Sequence, residues 1–287
     1  MSGPTRVVML GTGTPRPDPS RSGPATAIIV NDTPYLIDFG PGVIRRATAA
    51  YEKGATALGY GGVNIKTVFL THMHSDHTVG YPDLIFSPWV MGRRDPLGVY
   101  GPKGIKAMTE HVLKAWQVDI DGRSGGLNQH NPTGWKVTAH EIVPGVVYRD
   151  SNVIVTAFPA WHEEMVDSFS YRFDTPDRAI VISGDTAPTR ELLDRSRGCD
   201  VLIHEAYSLA EARHAAKPSP EFRRRHHTSS VELAKIANAV KPALLITYHR
   251  STAGEDTMGP VQKDALIEEI RQTYKGKVVA AHDLDIY

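Results

Sequence analysis

Residues 71–77 read Thr71-His72-Met73-His74-Ser75-Asp76-His77, and this heptad follows a short apolar run, Lys66-Thr67-Val68-Phe69-Leu70. Three imidazoles and one carboxylate fall within six positions. A strand that opens into a loop lets His72, His74, Asp76 and His77 converge on one point, and no packing role calls for that composition. Imidazole and carboxylate donors suit zinc, or iron and manganese in a similar shell, and a catalytic site keeps coordination positions open. The heptad therefore predicts a metal site.

Other donors are expected where strands end, because a sheet holds its own ends still while the loops aim side chains. Three residues answer that description. His162 follows the apolar run 153–158, Asp185 follows 179–182, and His249 follows 243–247 after the intervening Tyr248. Taken singly, a buried structural role is the better reading of His162 or His249. Taken together with the heptad, which needs further donors, ligation becomes the better reading.

Composition bounds the rest. The 287 residues are 41% hydrophobic and 22% charged, enough to bury a substantial core. Lysine and arginine number 32 and are matched by 32 acidic residues, so the formal net charge is zero. A dedicated nucleic-acid binder usually carries a basic excess. The single cysteine, Cys199, excludes an internal disulfide framework and fits a reducing compartment. No apolar run approaches membrane-spanning length and no leader pattern precedes the first strand, so a cytoplasmic location is the default expectation; a trimmed leader would make it secreted or periplasmic.

Short β-branched runs alternate with helical stretches and glycine-rich turns. Runs 25–30 and 34–37 straddle Asn31-Asp32-Thr33 and predict a hairpin. Residues 104–116 predict a helix with Ile105, Met108, Val112, Leu113 and Trp116 on one face, and Trp89 and Trp116 are assigned to the core. The polar, glycine-bearing stretch 118–135 reads as a surface loop. Ser229-Ser230-Val231-Glu232 spells a capping box before a helix that Lys241-Pro242 ends. Gly11 and Gly13 read as tight-turn glycines, since no phosphate-cradle pattern is present. Arg223-Arg224-Arg225 is a basic run that either holds an anionic substrate or forms a solvated face, Trp161 is placed to wall a pocket, and 207–225 forms a lid or a surface helix.

The heptad resembles the His-x-His-x-Asp-His signature of the metallo-β-lactamase superfamily, and the chain is most similar to its tRNase Z and related phosphodiesterase branch. Val7-Val8-Met9-Leu10-Gly11-Thr12-Gly13-Thr14-Pro15 resembles that branch's opening strand and loop, and Tyr35-Leu36-Ile37-Asp38-Phe39-Gly40 its second signature. Ile182-Ser183-Gly184-Asp185-Thr186, His204-Glu205-Ala206 and Val278-Val279-Ala280-Ala281-His282-Asp283 resemble later ones.

The resemblance implies an α/β (α+β) chain folded as one hydrolase domain over 1–287. Its fold would be the αββα metallo-β-lactamase sandwich, two mixed β-sheets with helices on both outer faces. It implies two divalent metal ions, zinc first, with manganese or iron as alternatives. His72, His74 and His162 would hold one, Asp76, His77 and His249 the other, with Asp185 bridging. A metal-bridging hydroxide would attack, oriented by Asp76. Glu205 and His227 would form the acid pair that protonates the leaving group, and Asp38 would accept a hydrogen bond from a ligand histidine.

Three functions remain open: a phosphodiesterase acting on a small-molecule or minor nucleic-acid substrate, a hydrolase of esters, lactones or xenobiotics, and a metal-binding sensor or scaffold; a tRNase Z-type ribonuclease is the further alternative within the family. Bacterial tRNase Z carries a tRNA-gripping arm between the positions of His162 and Asp185. Here that interval spans only 23 positions. A small-molecule partner is therefore expected in preference to tRNA, with no membrane partner, and a homodimer by analogy with relatives.

Overall fold

The computed structural model describes residues 4–126, 129–165, 167–214, 218–250 and 264–287. The chain divides into two compact units, one formed by residues 1–15, 19–142 and 283–287, the other by 16–18 and 143–282.

The first unit holds, in chain order, β1 (Arg6–Gly11), β2 (Ala25–Val30), β3 (Thr33–Ile37), α1 (Val43–Glu52), β4 (Thr67–Phe69), α2 (Ser75–Thr78) and α3 (Tyr81–Val90). After these come β5 (Leu97–Gly101), α4 (Ile105–Ala115), α5 (Gln117–Gly125) and β6 (Val137–Glu141). Its six strands lie in the order β1-β2-β3-β4-β5-β6. The first three pair antiparallel, and β3 through β6 pair parallel. The β2–β3 hairpin forms as expected. Asn31 and Asp32 at its tip have φ of 48° and 57°, the left-handed pair that matches strand twist. Helix α1 buries Val43, Ile44, Ala47 and Ala50, an i, i+4, i+7 stripe that packs with α3 and α4 over one face of the sheet.

The second unit holds β7 (Gly145–Arg149), β8 (Ile154–Pro159), β9 (Phe169–Asp174), β10 (Ala179–Ile182), α6 (Arg190–Ser196), β11 (Val201–Glu205) and α7 (Leu209–His214). It continues through α8 (Pro220–His226), α9 (Ser230–Val240), β12 (Leu244–Tyr248), α10 (Ala265–Thr273) and β13 (Val278–Ala280). Seven strands run in the order β13-β12-β11-β10-β9-β8-β7. Parallel pairing from β10 to β13 gives way to antiparallel pairing from β10 to β7. Leu192 of α6, Leu233 and Ala237 of α9, and Leu266 and Ile270 of α10 cover it. The capping box at Ser229 and Glu232 is formed on both sides.

Three expectations need correcting. The stretch 118–135 is not wholly a loop, because its first part is helix α5. Two i, i+4 pairs, Gln117–Asp121 and Asp119–Arg123, support that turn locally, and Ile120 is its one buried anchor. Trp116 is not core: it is 40% exposed and stacks on Phe86, whereas Trp89 is fully buried. Gly11 and Gly13 are not turn glycines: Gly11 is the last residue of β1, and Gly13, in no turn, donates its N–H to the Ser22 carbonyl at 2.8 Å. A Cβ on Gly11 would lie 1.9 Å from the Gly23 carbonyl oxygen, and one on Gly13 would lie 2.8 Å from that of Ser22. Both residues permit close backbone approach.

That approach is fastened from the other end of the chain. Asp283 accepts from Thr12 N and Thr12 Oγ1 at 2.9 and 2.8 Å and from Ser22 N at 2.7 Å. Beyond it, Asp285 and Tyr287 accept from the backbones of Met9 and Val7, and so line the open flank of β1.

Candidate metal centre

In the first unit the heptad stands where β4 ends. His74 is the extended residue before α2, whose single turn turns Asp76 and His77 inward. His72 and His77 are fully buried and Asp76 nearly so, an arrangement costly for polar groups unless each is partnered.

Asp38 supplies the first partners. It sits just past β3 with φ 60°, a left-handed conformation that asparagine and aspartate tolerate better than most residues. Its Oδ1 accepts from Thr71 N at 2.8 Å, and its Oδ2 accepts from Thr71 Oγ1 at 3.0 Å and His77 Nδ1 at 2.8 Å. Thr71 thus spends its one hydroxyl proton on Asp38. Nδ1 of His72, 3.0 Å from Thr71 Oγ1, must then be the donor in that contact. Both His72 and His77 are left with their lone pair on Nε2.

His72 Nε2 lies 3.0 Å from His74 Nδ1. Two nitrogens bonded at about 2.0–2.1 Å to one tetrahedral zinc stand about 3.3 Å apart, so this donor set fits a divalent metal.

In the second unit β8, β10, β11 and β12 each end at, or within three positions of, a polar residue of interest. His162 donates from Nδ1 to the His226 carbonyl oxygen at 2.9 Å, which again puts the lone pair on Nε2. Asp185 Oδ2 lies 3.3 Å from His249 Nε2, and both residues are buried. His249, like Asp38, has a left-handed backbone, φ 54°. His162, Asp185 and His227 offer donor atoms all within 4.8 Å of one another, and so do Glu205, His227 and His249.

Glu205, at the end of β11, accepts on Oε1 from Thr228 N at 3.0 Å and Thr186 N at 3.3 Å, and its carboxylate is buried. The same oxygen lies 3.3 Å from His227 Nδ1, whose side chain is partly exposed. The expected pair is thus in contact. Its neighbour His204 points elsewhere: burial keeps this imidazole below the ordinary histidine range, and its Nε2 has no hydrogen-bond partner among the described residues.

Residues 33–250 match the β-lactamase superfamily domain. The chain belongs to that family. It is 28% identical over 283 residues to the ribonuclease Z of Mycobacterium bovis (strain BCG / Pasteur 1173P2), covering 97% of this chain and 96% of the relative. Among solved structures it is similar to the metallo-β-lactamase fold protein YhfI from Bacillus subtilis, with TM-score 0.72, 17% identity and coverage of 99% and 100%. It is also similar to the short form of human tRNase Z, with TM-score 0.71, 20% identity and 98% coverage of each. The fold is the metallo-β-lactamase fold, and the chain is a metal-dependent hydrolase of that superfamily.

The interval between His162 and Asp185 is filled largely by β9 and β10, two antiparallel strands of the seven-stranded sheet. Of the basic run, Arg223 is buried and donates to the Ala212 carbonyl, while Arg225 pairs with Glu163 and Glu221. Trp161 is 58% exposed. Within 207–225 stand helices α7 and α8, with residues 215–217 outside the described residues. Among the described residues no helix is long and apolar enough to cross a membrane.

Sequence reasoning missed Glu163, Glu164 and His226. The His226 ring is buried, with Nδ1 donating to the Phe222 carbonyl at 2.8 Å and Nε2 meeting the Glu164 carboxylate. That hydrogen bond holds the exposed Glu164 carboxyl below its ordinary value. The available signal was two consecutive acids directly after one candidate ligand and a basic pair directly before His227.

Proposed function

We propose that the protein is a dinuclear phosphodiesterase, a single hydrolase domain over 1–287 that acts on a small substrate. His72, His74 and His162 would hold one metal, Asp76, His77 and His249 the other, and Asp185 would serve both. Zinc is the first expectation, with manganese or iron accepted by the same donors. When bound, such ions supply Lewis acidity and a water of lowered pKa.

The observation that carries the phosphodiester reading is the contact of Glu205 with His227. Breaking a phosphodiester expels an alkoxide, which needs a proton. Glu205 is anchored by two backbone N–H groups and orients His227 through Nδ1, so Nε2 is the nitrogen that gives the proton. Asp76 orients the attacking oxygen and accepts its proton. Lactone opening relies less on such an acid.

The β9–β10 hairpin, standing where an arm would be, supports a substrate smaller than tRNA. A second reading, cleavage of RNA, is favoured by the name of the mycobacterial relative.

The test is the initial rate of bis(4-nitrophenyl) phosphate hydrolysis by zinc- or manganese-loaded protein, with Asp185→Asn as control. Turnover that vanishes in the control and on chelation is the expected result. Absence of turnover in the loaded protein sinks the reading in favour of esters and lactones. Rates on a dinucleotide and on a precursor tRNA then separate the two phosphodiester readings.

A further inference from the structure

The residues beside His162 and His227 are joined by two charged contacts and one backbone hydrogen bond. Glu163 binds Arg225, Glu164 binds His226 Nε2, and His162 Nδ1 donates to the His226 carbonyl. Two consecutive acids thus meet two consecutive basic residues, in order. The His226 ring is further held between its bond to Phe222 and the Phe222 ring, stacked at 3.8 Å and 12°.

Stability does not fully explain this pairing. The Arg225 and Glu163 side chains are 55% and 30% exposed, and such a pair contributes little to folding, whereas the His226 ring that meets the 70%-exposed Glu164 is 2% exposed and gains a partner for its Nε2. Position does explain it. The segment after β8 carries His162, and the segment after α8 carries His227, whose rings stand 5.4 Å apart edge to face. Neither segment is a strand or helix at that point, so no ladder fixes one against the other. Misplacement of a reacting group by about 1 Å costs on the order of a hundredfold in rate, and groups that orient a metal ligand commonly change metal affinity by about 10- to 100-fold.

We infer that Glu163 and Glu164, through Arg225 and His226, form a two-pronged latch that registers the His162 segment against the His227 segment. Glu163 and Glu164 are positioning residues: they act by aiming His162 and His227, not by touching substrate. The inference rests on the reading of His162 as a ligand and His227 as the acid.

The experiment compares wild type, the double variant Glu163→Gln with Glu164→Gln, the single variant Glu163→Arg, and the charge-swapped pair Glu163→Arg with Arg225→Glu. Zinc affinity is measured by chelator competition, beside kcat and KM on bis(4-nitrophenyl) phosphate and the melting temperature. The expected result for the double variant is a loss of about tenfold in zinc affinity and in kcat, with KM and melting temperature little changed. The swapped pair recovers most of what Glu163→Arg alone loses. Unchanged zinc affinity in the double variant overturns the latch, as does a swap that recovers nothing. A fall in melting temperature that accounts for the whole loss of activity does the same. If wild type binds zinc but does not hydrolyse the diester, the phosphodiesterase reading fails, while the affinity comparison still decides the latch.

Discussion

The Asp38 carboxylate accepts a hydrogen bond from His77 Nδ1 at 2.8 Å, and the two side chains are almost wholly buried. One acid just past β3 thereby sets the tautomer of one heptad histidine directly and of another, His72, by way of Thr71. Asparagine tolerates the same left-handed backbone but presents one acceptor in place of two. Asp38→Asn is expected to lower zinc affinity by about 10- to 100-fold and kcat with it. Chelator competition and steady-state kinetics check this. Affinity equal to wild type would remove Asp38 from the centre.

The Glu205–His227 pair makes a prediction about leaving groups. Nitrophenolate departs without a proton, whereas a ribose alkoxide does not. His227→Ala is therefore expected to cut the rate on a dinucleotide by about 10²- to 10⁴-fold. The rate on bis(4-nitrophenyl) phosphate should fall far less. Equal losses on both substrates would mean that His227 contributes something other than a proton.

Gly11 and Gly122 should respond to alanine in opposite ways. The first has the Gly23 carbonyl oxygen 1.9 Å from where its Cβ would stand. Gly11→Ala should destabilise by at least about 1–3 kcal/mol, through forced movement of backbone. Around Gly122, within α5, nothing lies within 4 Å. Gly122→Ala should stabilise by about 0.5–1 kcal/mol, because glycine gives up more chain freedom in a helix. Urea midpoints of the two variants test both signs.

Burial pushes the Cys199 thiol from 9.0 up to about 12, so it stays protonated in the fold. The unfolded thiol ionises first as pH rises. The stabilisation linked to this proton is therefore complete below about pH 9 and is lost progressively towards about pH 12. At pH 8 the folded protein should react with a thiol-specific disulfide reagent only through unfolding, and a denaturant should release the full reaction. Rapid modification of the native protein would contradict this.

What the sequence disclosed depended on the range of the interaction behind each feature. The heptad, the 31–32 hairpin tip and the Ser229 capping box are read within a few residues, and all three stand where they were expected. The acid pair, 22 positions apart, came from resemblance, and its contact is present. Helix α5 was hidden because its polar composition and glycines resemble a loop and its support is side-chain pairing. The reason for Gly11 lies across the β1–β2 register, which no local pattern encodes. The Glu163–Arg225 and Glu164–His226 contacts bridge 62 positions, and charge order was their only trace.

The pairing of Asp283 with Thr12 closes over 271 positions of chain. During translation, then, β1 emerges long before residues 283–287, and its free flank stays unsheltered until they follow. An open strand edge invites pairing with other chains. The nascent protein passes through a long interval in which a chaperone, or a neighbouring chain on the same message, can reach the edge that Asp285 and Tyr287 later close.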